Sequence, residues 1–482
     1  MRETGTDPLE EDNMRNRPGW VLAVASIASL MVALDALVVT TALPTIRAHL
    51  GASITQLEWT VNAYTLSFAV LLMTGAAVGD RFGRRRMFAT GLGLFSLASA
   101  ACALAPTVGL LIAARAVQGA GAALVMPLGL TLLSAAYAPE RRARALGIFS
   151  GVTGLAVLAG PVIGGAITQG IAWQWIFWIN VPIGLLTIPV VLRRVRESYG
   201  PRSAPDLAGL ALVTGAALGI VWALVRGNSA GWGSVEVIAA LAVGVLLAVA
   251  FVLWERRTAE PMLPMAMFAS RPFSSGNATI FFLSAALYGA VFFMAQFLQT
   301  AQGHGPLDAG LRLLPWTATL FVIAPIAGAR ISRFGERPFA LAGLLLQAAG
   351  MGWIALIASP DVAYWRLVAP LMIAGCGVSM ALPALQNAVV SSVAPASIGK
   401  ASGAFNMMRQ LGGVFGIATL VAVFTGAGGY GSAQLFSDGF TAALGVAVGL
   451  SLLGAAASAG LPRAQVATVS APSVSEIATS IE

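Results

Sequence analysis

The chain is poor in charge, in histidine and in sulfur, and each shortage removes a class of protein. Only 10% of its 482 residues are Asp, Glu, Lys or Arg, against roughly 25% in soluble domains. A water-soluble globular protein is thereby excluded. Its two cysteines, Cys102 and Cys376, lie in separate apolar runs, and its two histidines, His49 and His304, are far apart. That spacing argues against a disulfide framework or a Cys/His metal site, and no nucleophile/base constellation of a membrane-embedded enzyme is found. Lys400 is the sole lysine and has no phosphate-loop glycines before it, which argues against an ATP-driven pump; GAGAAL in the 119–124 region follows no strand and reads as helix packing. What remains is 57% apolar residues gathered in long runs.

A spanning helix needs roughly 20 mostly apolar residues, and fourteen such runs lie between 20 and 460. The expected organisation is an N-terminal tail at 1–19, a six-helix bundle at 20–192, and a linker at 193–272 holding two extra spans, about 207–225 and 237–254. A second six-helix bundle at 273–460 and a disordered tail at 461–482 complete it. The first 18 residues are mixed in charge and lack the basic start of a cleavable signal, so the first helix reads as a retained anchor. With the N-terminus inside, most basic residues fall in inner loops. Only Arg47, Arg226, Arg312 and Arg366 fall outside, and Arg115 alone is read within a helix. This asymmetry places both termini in the cytoplasm. The net charge of +8 is therefore a topology signal and not the mark of a nucleic-acid partner.

The two ends of the chain echo each other. Gly119, Gly121 and Pro127 align with Gly375, Gly377 and Pro383, and the turn Arg81-Phe82-Gly83 aligns with Arg333-Phe334-Gly335. A duplicated six-helix unit follows, of the kind that parallel repeats build around a midplane cavity. The copies differ in chemistry, because Asp80 matches Ser332 and Arg115 matches Leu371.

Asp35, in LDALVVTTALP, reads as the one carboxylate at membrane depth, where a charge costs at least ~2.5 kcal/mol. It is either a proton-coupling acid or a structural one. Arg115 is the matching cation, one turn from Gln118; it cannot release its proton and can only pair or tune. In GAAVGDRFGRRR, Gly75, Gly79 and Gly83 permit a tight turn, and Asp80 stands among Arg81, Arg84 and Arg85. Asp80 is expected to pair with a loop arginine or cap a helix, a contact able to form in one conformation and break in another. The fifth span carries small residues at 156, 160 and 164, with Gly160, Pro161, Gly164 and Gly165 set for close packing against a helix of the other half. Candidate cavity residues are Glu58, Asn62, Tyr64, Phe292, Gln296, Asn387, Asn406 and Gln410. Glu58, at the outer edge of the second span, is either a second cation contact or part of a solvated face.

Over residues 20–460 these motifs resemble the 14-helix drug:proton antiporters of the major facilitator superfamily. GDRFGRRR resembles the loop motif between helices two and three, RAVQGAGAA the fourth-helix motif and AGPVIGG the fifth-helix motif associated with antiport. LDALVVTTALPTI and SGAFNMMRQLGGVFGIA resemble the group's first- and thirteenth-span motifs. The resemblance implies an all-α polytopic membrane protein of the major facilitator fold, with two six-helix bundles plus two extra central helices. It implies efflux of amphipathic small molecules against protons from a bacterial cytoplasmic membrane, with no cofactor and with the monomer as working unit. Asp35 would carry the proton, Arg115 and Gln118 assist, the Asp80 loop gate, and Gly160, Pro161, Gly164 and Gly165 shape the antiport interface. Asn62 stands where some relatives carry an acid. Neutral, zwitterionic or monocationic lipophiles are therefore expected over dications, with export of one endogenous metabolite as an open alternative beside a non-transporting receptor.

Overall fold

The computed structural model describes residues 18–200, 205–394 and 397–462, and no strand occurs among them. The expected tails fall outside the described residues before Pro18 and after Pro462. Among the described residues fourteen helices are long and apolar enough to cross a membrane: α1 (Pro18–Leu50), α2 (Ile54–Phe82), α3 (Arg84–Ala103), α4 (Val108–Ala136), α5 (Arg144–Gly170), α6 (Trp175–Arg194), α7 (Leu207–Ala230), α8 (Val235–Glu255), α9 (Arg271–Ala301), α10 (Pro306–Ile331), α11 (Glu336–Ile357), α12 (Tyr364–Ser391), α13 (Ile398–Ala427) and α14 (Ala433–Gly460). A helix satisfies its own backbone hydrogen bonds, which lipid cannot do for it. Local chemistry sets the ends: Ser53 and Gln56 form a reciprocal capping box on α2, and Thr107, Asp206, Ser234 and Ser432 cap α4, α7, α8 and α14.

One boundary differs from the hydropathy pattern. The first apolar run ends near 42, yet α1 continues through Pro44 to Leu50. A proline inside a helix frees carbonyls one turn earlier, and a partner from another helix can take one up. Here Gln299 of α9 donates to the Thr41 carbonyl at 3.0 Å.

Helices α1–α6 pack as one bundle and α9–α14 as another, and the glycines show that the second repeats the first. A methyl on Gly119 of α4 would meet Tyr64 and Ser67 of α2, and one on Gly121 would meet Phe95 and Gly91 of α3. In the second bundle Gly375 of α12 is equally tight against Trp316 and Thr319 of α10, and Gly377 against Gly343 and Gln347 of α11. The turns repeat as well: Gly83 (φ 107°) separates α2 from α3, and Gly335 (φ 79°) separates α10 from α11. Both angles are in the region that favours glycine.

Of the inserted pair, α7 lies on the seam where α2 meets α13 and α8 packs on α7. Trp222 of α7 contacts Trp59 of α2 at 6.4 Å between ring centroids, while Asn228 of α7 donates to the Ala422 carbonyl and to Thr425 of α13.

The halves are closed together at the face opposite the termini. Gly165 of α5 sits on the Pro306–Leu307 backbone, Gly310 of α10 sits on the Pro161 carbonyl, and the Leu307 amide donates to Gln169 at 3.1 Å. Arg47 of α1 stacks on Tyr430 at 4.1 Å. Burial pushes the Tyr430 phenol up against the lowering pull of Arg47, so the hydroxyl stays a donor and bonds Gln296 Oε1. Toward the termini no such seat recurs: a methyl added at Gly147, Gly151 or Gly154 of α5, or at Gly328 of α10, would meet nothing within 4 Å.

Candidate functional site

Five helices of the first bundle meet at one carboxylate. Asp35, only 2% exposed, takes Arg115 Nη1 on Oδ2 and takes Gln118 Nε2 and Asn180 Nδ2 on Oδ1, each at 2.8 Å. Arg115 is itself fully enclosed at 0% exposure. Its Nε donates to the Thr60 carbonyl at 3.2 Å, its Nη1 also reaches Gln118 Oε1 at 2.7 Å, and its guanidinium lies over Tyr64 at 4.1 Å. Gln118 and Asn180 both donate to Ser99, Cys102 Sγ donates to Gln118, and the Tyr64 hydroxyl donates to the Val32 carbonyl at 3.1 Å. Charge and hydrogen bonds are thus nearly balanced, as a buried ion pair requires; Arg115 Nη2 is left without a partner.

Asp35, Arg115, Gln118 and Tyr64 are legible in the sequence as candidates, whereas Asn180, Ser99 and Thr60 are not. Asn180 begins the longer helical segment of α6, immediately after the short turn Trp175–Trp178. The signal available in the sequence is an amide inside the apolar run FWINVPIG.

The loop between α2 and α3 is pinned to the segment after α6. Asp80 Oδ1 accepts from Arg84 Nε at 2.7 Å, which is the loop pairing expected of it. The helix cap comes from elsewhere: the Glu197 carboxylate accepts from the backbone amides of Arg85 at 2.8 Å and Arg86 at 3.3 Å, at the positive end of α3. The backbones join as well, Arg84 N to Ser198 O at 2.9 Å and Gly200 N to Asp80 O at 3.1 Å. Arg85 reaches the Leu192 and Val195 carbonyls, Arg81 lies over Phe82, and Gly75 and Gly79 hold α2 against Ala123 and Leu128 of α4.

Three expectations need correction. The small-residue stripe of α5 does not face the other half: Gly160 packs on Leu37 and Gly164 on Val38 and Thr41 of α1, and only Gly165 and the Pro161 carbonyl meet α10. A periodic stripe shows that a close face exists and leaves its partner undetermined. Glu58 is no solvated face but 0% exposed, so Asp35 is not the sole buried acid. Arg115 is not the sole arginine inside a helix either, because Arg409 lies well within α13 and is half-buried.

The other cavity candidates do not converge. Asn62 is buried beside Glu58 and donates to it at 3.3 Å. Phe292 packs on Phe293 at 5.1 Å within the second bundle, and Gln296 bonds the Phe292 carbonyl and Tyr430. Asn387 is exposed at the termini end of α12, held to Glu336 at 2.7 Å. Asn406 donates to the Ser402 carbonyl at 2.9 Å, and Gln410 accepts from Tyr288 of α9 at 3.3 Å.

The family model of the Major Facilitator Superfamily matches residues 25–417. The chain belongs to the major facilitator superfamily. Among its relatives, the tetracenomycin C resistance and export protein of Streptomyces glaucescens is 35% identical over 421 residues, covering 86% of this chain and 78% of that one. The methylenomycin A resistance protein of Streptomyces coelicolor is 36% identical and covers 84% and 85%; the puromycin resistance protein of Streptomyces alboniger is 34% identical and covers 91% and 90%. In fold it is similar to a peptide transporter POT crystallised with sulfate, with a TM-score of 0.67, 17% identity and coverage of 94% and 98%. As a superfamily member this chain is a transporter, and the network around Asp35 is the buried polar centre of its first bundle.

Proposed function

We propose that this transporter exports amphipathic, antibiotic-like small molecules across a bacterial cytoplasmic membrane in exchange for protons, with both termini in the cytoplasm. The observation that carries the reading is the carboxylate of Asp35, buried at a five-helix junction with an arginine that cannot give up its own proton. Protonating Asp35 removes the negative charge to which Arg115 is bound. The guanidinium must then lean on Thr60 and Gln118, and α1 is loosened from α4. Because α1 also carries the Gly160 and Gly164 contacts of α5 and the Thr41 carbonyl bonded by Gln299, a proton at Asp35 is passed on to α5, which closes on α10, and to α9 of the other half.

Asp80, Arg84 and the surrounding loop act as a latch on the cytoplasmic side, closed onto the linker after α6, and Gly165 with Pro161 forms the hinge-side contact with α10. The lack of α5–α10 seats toward the termini supports a cavity open to the cytoplasm. Resistance and export proteins among the relatives support antibiotic-like cargo. No carboxylate lies mid-span in the described helices α9–α14, which supports neutral, zwitterionic or monocationic cargo. At a driving force of ~150 mV one proton supplies about 3.5 kcal/mol, enough for a gradient of roughly a few hundred-fold.

The test is proton movement in proteoliposomes holding an imposed pH gradient, on addition of puromycin, tetracenomycin C and a panel of lipophilic monocations. At least one compound should trigger proton flux that protein-free vesicles lack. If none does, multidrug antiport is the wrong reading.

A further inference from the structure

Glu58 and Asn62 sit one turn apart on α2, and both are 0% exposed. Asn62 Nδ2 donates to Glu58 Oε1 at 3.3 Å. The two remaining oxygens of the pair, Glu58 Oε2 and Asn62 Oδ1, have no hydrogen-bond partner among the described residues. A carboxyl and an amide joined by one such bond are one hydrogen short of a closed two-bond pair. Two acceptor oxygens cannot satisfy each other, and buried acceptors left bare are costly. A single proton on Glu58 Oε2 turns that oxygen into a donor toward Asn62 Oδ1 and removes both deficits together.

No other charged group takes that role among the described residues. On the helices packed against α2, Arg115 of α4 spends its Nε on Thr60 and its Nη1 on Asp35 and Gln118, and Cys102 of α3 donates to Gln118. Arg47 and His49 of α1 lie against Tyr430 and Trp173, and Arg226 of α7 is paired with Glu236. The arginines of α3 that start at Arg84, and Lys400 and Arg409 of α13, belong to the half of the molecule toward the termini.

We propose that Glu58, held by Asn62, is a second proton-carrying carboxyl of the transport cycle, separate from Asp35. The inference rests on the antiport reading above. Glu58 is one turn in from Ile54, about 6 Å along α2 from its first residue, on the side of the closed far face. When that face opens, an external proton meets Glu58 before it meets Asp35. The step is plain acid–base exchange: the carboxylate gains a proton from outer water and an O–H bond forms, and that bond breaks to water that reaches Glu58 in a cytoplasm-open conformation wetter than this one, where it is 0% exposed. Thr60, two residues on, accepts from Arg115, so both proton sites move with the same turn of α2. The cycle then carries two protons for each cargo molecule.

The experiment uses the full chain in liposomes. Infrared difference spectra between acid and alkaline pH should show the carbonyl stretch of a protonated carboxyl in wild type and in Asp35→Asn, and that band should be missing in Glu58→Gln. Asn62→Leu should shift the band, because the acid carbonyl loses its amide donor; this readout does not depend on transport. In parallel, pH-driven accumulation of puromycin should fall in Glu58→Gln to roughly the square root of the wild-type ratio. An identical band in wild type and Glu58→Gln, a Glu58 band that never changes with pH, or unchanged accumulation would overturn the proposal. If wild-type vesicles accumulate no puromycin, the antiport reading fails for that compound, while the spectra still decide whether Glu58 exchanges protons.

Discussion

Asn180 Nδ2 lies 2.8 Å from Asp35 Oδ1, which ties the sixth helix to the buried acid of the first. Asn180 also reaches Ser99 of α3, so one amide fastens three helices at the buried ion pair. Replacing it by alanine strips a donor from a buried carboxylate, a loss of about 1–3 kcal/mol. Asn180→Ala should lower the melting temperature of the purified protein and reduce pH-driven export. Asn180→Gln, which keeps the amide but lengthens the arm, should recover stability only in part.

Arg115 and Asp35 stand or fall as a pair. Removing one partner of a buried ion pair costs about 3–5 kcal/mol, whereas replacing both with neutral groups is often nearly neutral. Arg115→Met alone should therefore be poorly stable. Asp35→Asn with Arg115→Gln should melt close to wild type and fall at least to the accumulation that one proton drives, a combination that separates coupling from folding.

Glu197 is expected to act as the cap of α3. Its carboxylate serves the amides of Arg85 and Arg86, and loss of such a cap typically costs about 1 kcal/mol. Glu197→Ala should lower thermal stability by that order and loosen the latch, seen as faster proteolysis of the 193–200 linker. The basic residues that set topology are untouched, so a cysteine-labelling map of the loops should be unchanged.

Bulk at the α5–α10 contact should act only where the contact exists. Gly165→Val would drive its side chain into the Pro306–Leu307 backbone, and Gly310→Val into the Pro161 carbonyl. Both should hold the far face open, so that a cysteine at Ala309 of α10, 0% exposed in the closed face, becomes reactive to an impermeant thiol reagent. Gly151→Val, placed where nothing lies within 4 Å, should leave labelling and export near wild type.

The parts of this arrangement legible in the sequence are those where charge intrudes on apolar chain. Asp35 and Arg115 stand out because a charge within a span has to be explained, and GDRFGRRR stands out because topology alone needs neither its acid nor its glycines. Asn180 gives no such signal, since amides are common within spans and periodicity does not say which one meets a carboxylate. Glu197 is hidden among the arginines of RRVRESYG, where an acid looks solvated. Glu58 reads as an edge residue because a hydropathy window cannot register the burial that α2 gains from the helices around it. The stripe at 160 and 164 announces a close face, but its partner α1 is a tertiary fact.

The most direct test of the account is to compare wild type with Asp35→Asn in two modes of the same liposome assay. Exchange of radiolabelled puromycin at equal concentrations across the membrane needs only the rocking of the halves. Uphill accumulation driven by a pH gradient needs the proton site. Asp35→Asn should retain exchange and keep no more accumulation than the one proton left on Glu58 can drive, roughly the square root of the wild-type ratio. A variant that accumulates puromycin to the wild-type ratio would contradict this and move the proton site away from the first helix.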